Sequence, residues 1–157
     1  MKKQLLKLFK YPPRLLYALG LGPVYGRLVL LLTTTGRKTG QPRVTPLQYE
    51  LIDGKIFIAS ARGTKADWYR NILSNPEVEL RVKSRRFKGL AEPVTDLERI
   101  TDFLEYRLEK HPRMLAAITR FEGLPPHPNR EQLKAYAQNR ALVIVHPKGT
   151  HLENNGF

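Results

Sequence analysis

The dipeptide Asp53-Gly54, set between two β-rich runs at residues 43–51 and 55–60, constrains this chain more than any other feature. Asp-Gly allows both central residues of a two-residue turn to take positive φ, so the runs read as a hairpin and must be antiparallel. A second pair, residues 77–83 and 87–94, flanks the turn Lys83-Ser84-Arg85 in the same manner. Parallel strands would need a long crossover between them, usually a helix. The short turns therefore exclude a doubly wound sheet.

The remaining elements fit around these hairpins. Residues 28–34 read as a first strand and residues 141–146 as a last one. Thr64 with Asp67 approximates a capping box that opens a helix, closed by Asn75-Pro76. Thr95 with Glu98 predicts a second, carrying Leu97, Ile100, Phe103, Leu104 and Leu108 on one face. Pro112 breaks it, and residues 113–121 continue as a further helix. Asn129 with Gln132 caps a short one to about residue 138. The expected class is α+β with a mainly β core: a six-stranded, mostly antiparallel sheet closing as a barrel, with peripheral helices. The expected division is a basic amphipathic segment at 1–27, a single domain at 28–147, and a tail at 148–157.

Charge narrows the function. The chain has 157 residues and a formal charge of +13, and residues 1–49 hold nine Lys or Arg without one acid. Such a field attracts anions: nucleic acid, acidic lipid, or a phosphorylated or carboxylated small molecule. Neither a helix-turn-helix nor an RNA-binding platform is visible, so nucleic acid is not expected. Residues 2–10 place Leu5, Leu8 and Phe9 on one helical face among four lysines, which reads either as a docked surface helix or as a foot on an anionic membrane, spanning residues 1–13. No run is long enough to cross a bilayer, and no signal-peptide cleavage pattern follows the apolar stretch. The absence of cysteine suits a reducing compartment, and the expected location is cytoplasmic, peripheral to the inner face of the cell membrane. Metal-ligand spacing, a phosphate-binding P-loop and a nucleophile elbow are all missing.

The loop from Gly36 to Arg43 carries Arg37, Lys38 and Arg43 with Gly36 and Gly40 between two strands. Glycines let backbone amides turn outward as an anion-binding concavity, and arginine adds a two-pronged donor for phosphate or carboxylate. The same composition also occurs in solvated hairpins.

The thirteen residues Leu32-Thr33-Thr34-Thr35-Gly36-Arg37-Lys38-Thr39-Gly40-Gln41-Pro42-Arg43-Val44 closely resemble the signature of the deazaflavin-dependent nitroreductase and quinone reductase family, split β-barrel proteins using coenzyme F420. Gly54, Ile58-Ala59-Ser60, Trp68-Tyr69, Asn71 and Asn75-Pro76 follow at near-family spacing. The resemblance implies that Arg37, Lys38, Thr39 and Arg43 hold the acidic part of the coenzyme. It implies that Thr45 and Pro46 begin the strand beneath its ring, that Ile58, Ala59 and Ser60 meet the deazaflavin, and that Val44 and Ala61 are also cofactor-binding. Trp68 and Asn71 would close over it, with Arg62 extending the positive rim; Trp68 reads equally as a core residue. The reaction implied is hydride transfer from the reduced coenzyme to an organic acceptor such as a quinone, enone or nitro compound. Ser60 and Tyr136 are candidates for a catalytic hydroxyl. Gln48 replaces an aromatic residue of nitro-reducing relatives, which shifts the expectation toward other lipophilic acceptors. The alternatives are an FMN-binding split-barrel oxidoreductase and a non-catalytic cofactor- or lipid-binding protein. A monomer and a homodimer are both compatible with the pattern.

Overall fold

The computed structural model describes residues 29–60, 62–82, 84–121 and 123–149. The basic segment 1–27, Ala61 and most of the tail at 148–157 lie outside the described residues. Seven strands form one antiparallel sheet: β1 (Val29–Thr35), β2 (Pro42–Gln48), β3 (Glu50–Ile52), β4 (Lys55–Ser60), β5 (Glu77–Val82), β6 (Arg85–Val94) and β7 (Ala141–Pro147). Their order across the sheet is β2-β1-β5-β6-β7-β4-β3. The helices are α1 (Asp67–Ser74), α2 (Leu97–Lys110), α3 (Pro112–Phe121) and α4 (Arg130–Ala137).

The predicted single strand over residues 43–51 is divided, which accounts for seven strands instead of six. β2 pairs along its length with β1, whereas β3 pairs with β4 at the opposite edge of the sheet. Only Tyr49 separates the two, so the first and last strands of the sheet are covalent neighbours. A sheet whose two edges meet at one residue must curl on itself, and because β2 and β3 share no ladder the result is a split barrel. Tyr49 is buried and packs into the barrel interior at this corner.

Alternation places two layers on the sheet. Leu30, Leu32, Ile56, Ile58, Leu80, Val82, Val143 and Val145 face the interior and pack with Trp68, Tyr69 and Ile72 of α1. Leu142, Ile144 and Val94 face outward beneath Ile100, Phe103 and Leu104 of α2 and Leu133 of α4, joined by the partly buried Phe57 and Ala59. Phe57 and Phe103 stack with ring centroids 5.5 Å apart.

The Asp53-Gly54 hairpin forms as expected, with φ of 51° and 74°. Asn129 and Gln132 make the predicted reciprocal capping box. Two helix starts differ. Residues Gly63–Lys65 form a separate 3-10 turn, and α1 begins after Ala66, which offers no side-chain cap. Asp67 is therefore free to act elsewhere. At α2 the cap is Asp96 rather than Thr95: its carboxylate accepts from the amides of Glu98 and Arg99 at 2.8 and 3.3 Å. Adjacent Thr and Asp compete for one cap position, and the aspartate reaches both amides.

Candidate functional site

The β1–β2 connection is a tight turn closed by its own backbone. The Gly36 amide donates to Gln41 O and the Gly40 amide to Gly36 O, both at 2.8 Å. Gly40 sits at φ 69°, a conformation that favours glycine, and a Cβ on Gly36 would crowd Thr39 Oγ1 at 3.0 Å. Thr39 Oγ1 accepts from the Gln41 amide at 3.3 Å. Among the described residues the amides of Lys38 and Thr39 have no acceptor.

The turn is anchored to α1 through Arg37. Its amide and its Nη1 both donate to Asn71 Oδ1, at 3.2 and 2.9 Å, and its Nη2 donates to Asp67 Oδ1 at 3.1 Å. Asn71, buried, donates in turn to Thr34 Oγ1 at 3.1 Å, so the helix and strand β1 share one polar lattice. The Arg37 guanidinium holds the Asp67 carboxyl below the usual carboxylate range, with Arg70 and Arg62 adding smaller contributions.

Between turn and helix lies an open cavity of about 370 Å³, lined by Gly36, Arg37, Lys38, Thr39, Arg43, Thr45, Asp67, Trp68 and Asn71. Seven of the residues predicted for the cofactor meet here. Lys38 and Arg43 are exposed. Trp68 serves two readings at once, since it lines the cavity while being buried in the interior core.

Other predicted residues lie elsewhere. Val44 and Pro46 alternate with Arg43 and Thr45 and so occupy the opposite face of β2. Ile58 is wholly interior, and Ala59 packs in the outer layer. Ser60 is buried and donates to Gly63 O at 2.9 Å. Gly63 itself has no room for a side chain, because a Cβ there would stand 2.6 Å from Asn139 O. Arg62 is exposed at the rim of this turn. Tyr136 belongs to the outer layer, with the Arg140 guanidinium 4.1 Å above its ring, so the sheet separates it from Ser60.

Two groups were not foreseen as parts of one arrangement. Asp67, read as a helix cap, instead enters the cavity. Glu50, 4% exposed at its side chain, lies under the end of α2, where Arg107 Nε and His111 Nε2 approach its Oε1 at 3.4 and 3.0 Å. Neither approach is aligned as a hydrogen bond, so the attraction between Arg107 and Glu50 is chiefly Coulombic. Arg107 also donates through Nη2 to Gln48 Oε1 at 3.2 Å, and so spans the corner at Tyr49. Burial lowers the Arg107 pKa, against the opposing pull of Glu50. An acid between Gln48 and Ile52 in a strand pattern was the available signal, because a buried carboxylate needs a partner.

Comparison with known proteins places this architecture. The sequence model of the F420H(2)-dependent quinone reductase family matches residues 20–115. An F420H(2)-dependent quinone reductase of Mycobacterium tuberculosis (strain H37Rv) is 43% identical over 68 residues, covering 41% of this chain and 46% of the relative. The match thus spans somewhat less than half of that relative's length. Among solved structures, a conserved hypothetical protein from Mycobacterium tuberculosis superposes with a TM-score of 0.56 at 20% identity, covering 77% of this chain and 73% of that one. A structure described as an F420-H2 dependent reductase gives a TM-score of 0.51 at 23% identity, covering 76% and 95%. These two likenesses concern the fold. The region matched at family level contains β1 to β6, the glycine turn, α1 and the whole lining of the cavity, and this chain belongs to the F420H(2)-dependent quinone reductase family.

Proposed function

We propose that the chain is a reductase that takes a hydride from reduced coenzyme F420 and delivers it to an organic acceptor, with a quinone favoured. The observation that carries this reading is the cavity beside the glycine turn. Its donor set fits the phosphate and carboxylates of such a coenzyme: exposed Lys38 and Arg43, and the amides of Lys38 and Thr39 with no acceptor among the described residues. When bound, the deazaflavin supplies a hydride from a ring carbon. The chain's own part is to orient and to exclude water. Lys38, Arg43 and the turn amides would hold the acidic part; Arg37, fixed by Asn71, keeps the turn in register with α1. Trp68 would wall one side of the cavity, and Thr45 lies on β2 where the lining leaves the turn.

Mixing the protein with the reduced coenzyme and a panel of quinones, enones and nitro compounds, while following reoxidation, tests the reading. Turnover with at least one quinone is expected; binding without turnover on any acceptor would overturn the reductase assignment. Ser60→Ala and Tyr136→Phe in the same assay separate a catalytic hydroxyl from a packing one, since only the former lowers turnover at unchanged melting temperature. The basic stretch 1–13 supports contact with an anionic membrane, where a lipophilic quinone would be met. Co-sedimentation with phosphatidylglycerol vesicles, with and without residues 1–13, tests that contact.

A further inference from the structure

Asp67 is a carboxylate in a cavity otherwise equipped to receive one. It is the first residue of α1, yet the helix draws no side-chain cap from its start, and the Asp67 side chain is 82% exposed. Its Oδ1 takes the Nη2 arm of Arg37 at 3.1 Å, while the Nη1 arm is held by Asn71 at 2.9 Å. Arg37 is thus aimed by a buried residue on one side and occupied by an exposed acid on the other. Only the acid of this pair is exposed, the Arg37 side chain being 24% exposed, so Asp67 is held weakly and can return to water with little loss. The Asn71 contacts, being buried or half-buried, would keep the guanidinium pointed at the cavity after the acid leaves.

We propose that Asp67 is an internal stand-in for an acidic ligand, occupying Arg37 in the free protein and yielding it when a ligand with two or more anionic groups seats against Lys38 and Arg43. One anionic group then meets Lys38, Arg43 and the amides of Lys38 and Thr39, and a second takes the Arg37 arm. Asp67 is in this sense a specificity-determining residue. A ligand with one charged group cannot engage both ends and leaves the Arg37–Asp67 pair in place. The inference rests on the anion reading of the cavity given under Proposed function. An aspartate is ionised at neutral pH, and Arg37 lowers its carboxyl further, with Arg70 and Arg62 contributing, so the competition persists under ordinary conditions.

Calorimetric titration with inorganic pyrophosphate at low ionic strength tests the proposal in the full chain. Asp67→Asn should tighten pyrophosphate binding by about two- to fivefold, the range expected for releasing a pair whose acid is exposed. Placing Arg37→Met in the same background should abolish that gain. Should the asparagine variant fold poorly, Asp67→Ser keeps a residue type suited to a helix start and carries the same expectation. The inference is overturned if wild type binds pyrophosphate and removal of Asp67 leaves affinity unchanged or weaker. It is also overturned if the gain survives Arg37→Met, which would make the effect a general change of charge. Failure of wild type to bind either pyrophosphate or the coenzyme would overturn the cavity reading itself, and this inference with it.

Discussion

Arg43 is the cation on which ligand affinity should depend most directly, because it lines the cavity, is exposed, and among the described residues makes only a long 3.5 Å contact with Thr39 Oγ1. Arg43→Ala should weaken coenzyme binding by one to two decades, the equivalent of about 1.5–3 kcal/mol for a charge-assisted hydrogen bond. A fluorescence titration of the deazaflavin reads this directly. Asn71 acts differently. It is 3% exposed and joins Arg37 to Thr34. Asn71→Leu should therefore cost about 1–3 kcal/mol of stability, as buried donors and acceptors lose their partners. Thermal denaturation would show it even without ligand. The glycine turn and its cations were legible from residue types alone, since turn geometry and charge act locally. The engagement of Asp67 with Arg37 was not, because it joins residues thirty positions apart across a helix and a turn.

At the scale of elements, the corner between β2 and β3 depends on α2. Arg107 reaches both Gln48 and Glu50 and so ties the two outermost strands of the described sheet to one helix. Arg107→Met would leave the buried Glu50 carboxylate facing His111 alone and should cost up to about 3–5 kcal/mol, whereas adding Glu50→Gln should recover much of the loss. Chemical denaturation of the single and double variants measures the difference. The α2–α4 contact is of another kind: Arg130 meets Glu98, Asp102 and Glu105 at 2.7, 3.0 and 2.9 Å, all near the surface. Arg130→Ala should have a small effect that disappears in high salt. Hairpins were readable from Asp53-Gly54 and alternation because their pairing is local. The break at Tyr49 was hidden because it reflects a change of partner strand, which periodicity does not encode. Likewise, the start of α2 was misread by one residue where Thr95 and Asp96 competed for the cap.

For the whole molecule, the curled sheet divides the labour. The glycine turn, β2 and α1 line the cavity on one side, while α2 and α4 cover the outer layer. The pH response follows from the same distribution. Asp67 is held below its usual range by Arg37, and Glu98 by Lys134 and Arg130. A lowered carboxyl pKa contributes stability above the ordinary carboxylate range, and that contribution is lost as pH falls through the lowered value. Melting temperature should accordingly hold near neutrality and decline on acidification below about pH 4. The account stands on the exposed cations of the turn, and calorimetric titration of coenzyme F420 into wild type and a Lys38→Ala/Arg43→Ala variant tests it most directly. Saturable binding that weakens steeply with salt in the wild type, and is nearly abolished in a variant of unchanged melting temperature, is the predicted result; equal affinity in the two proteins would contradict it.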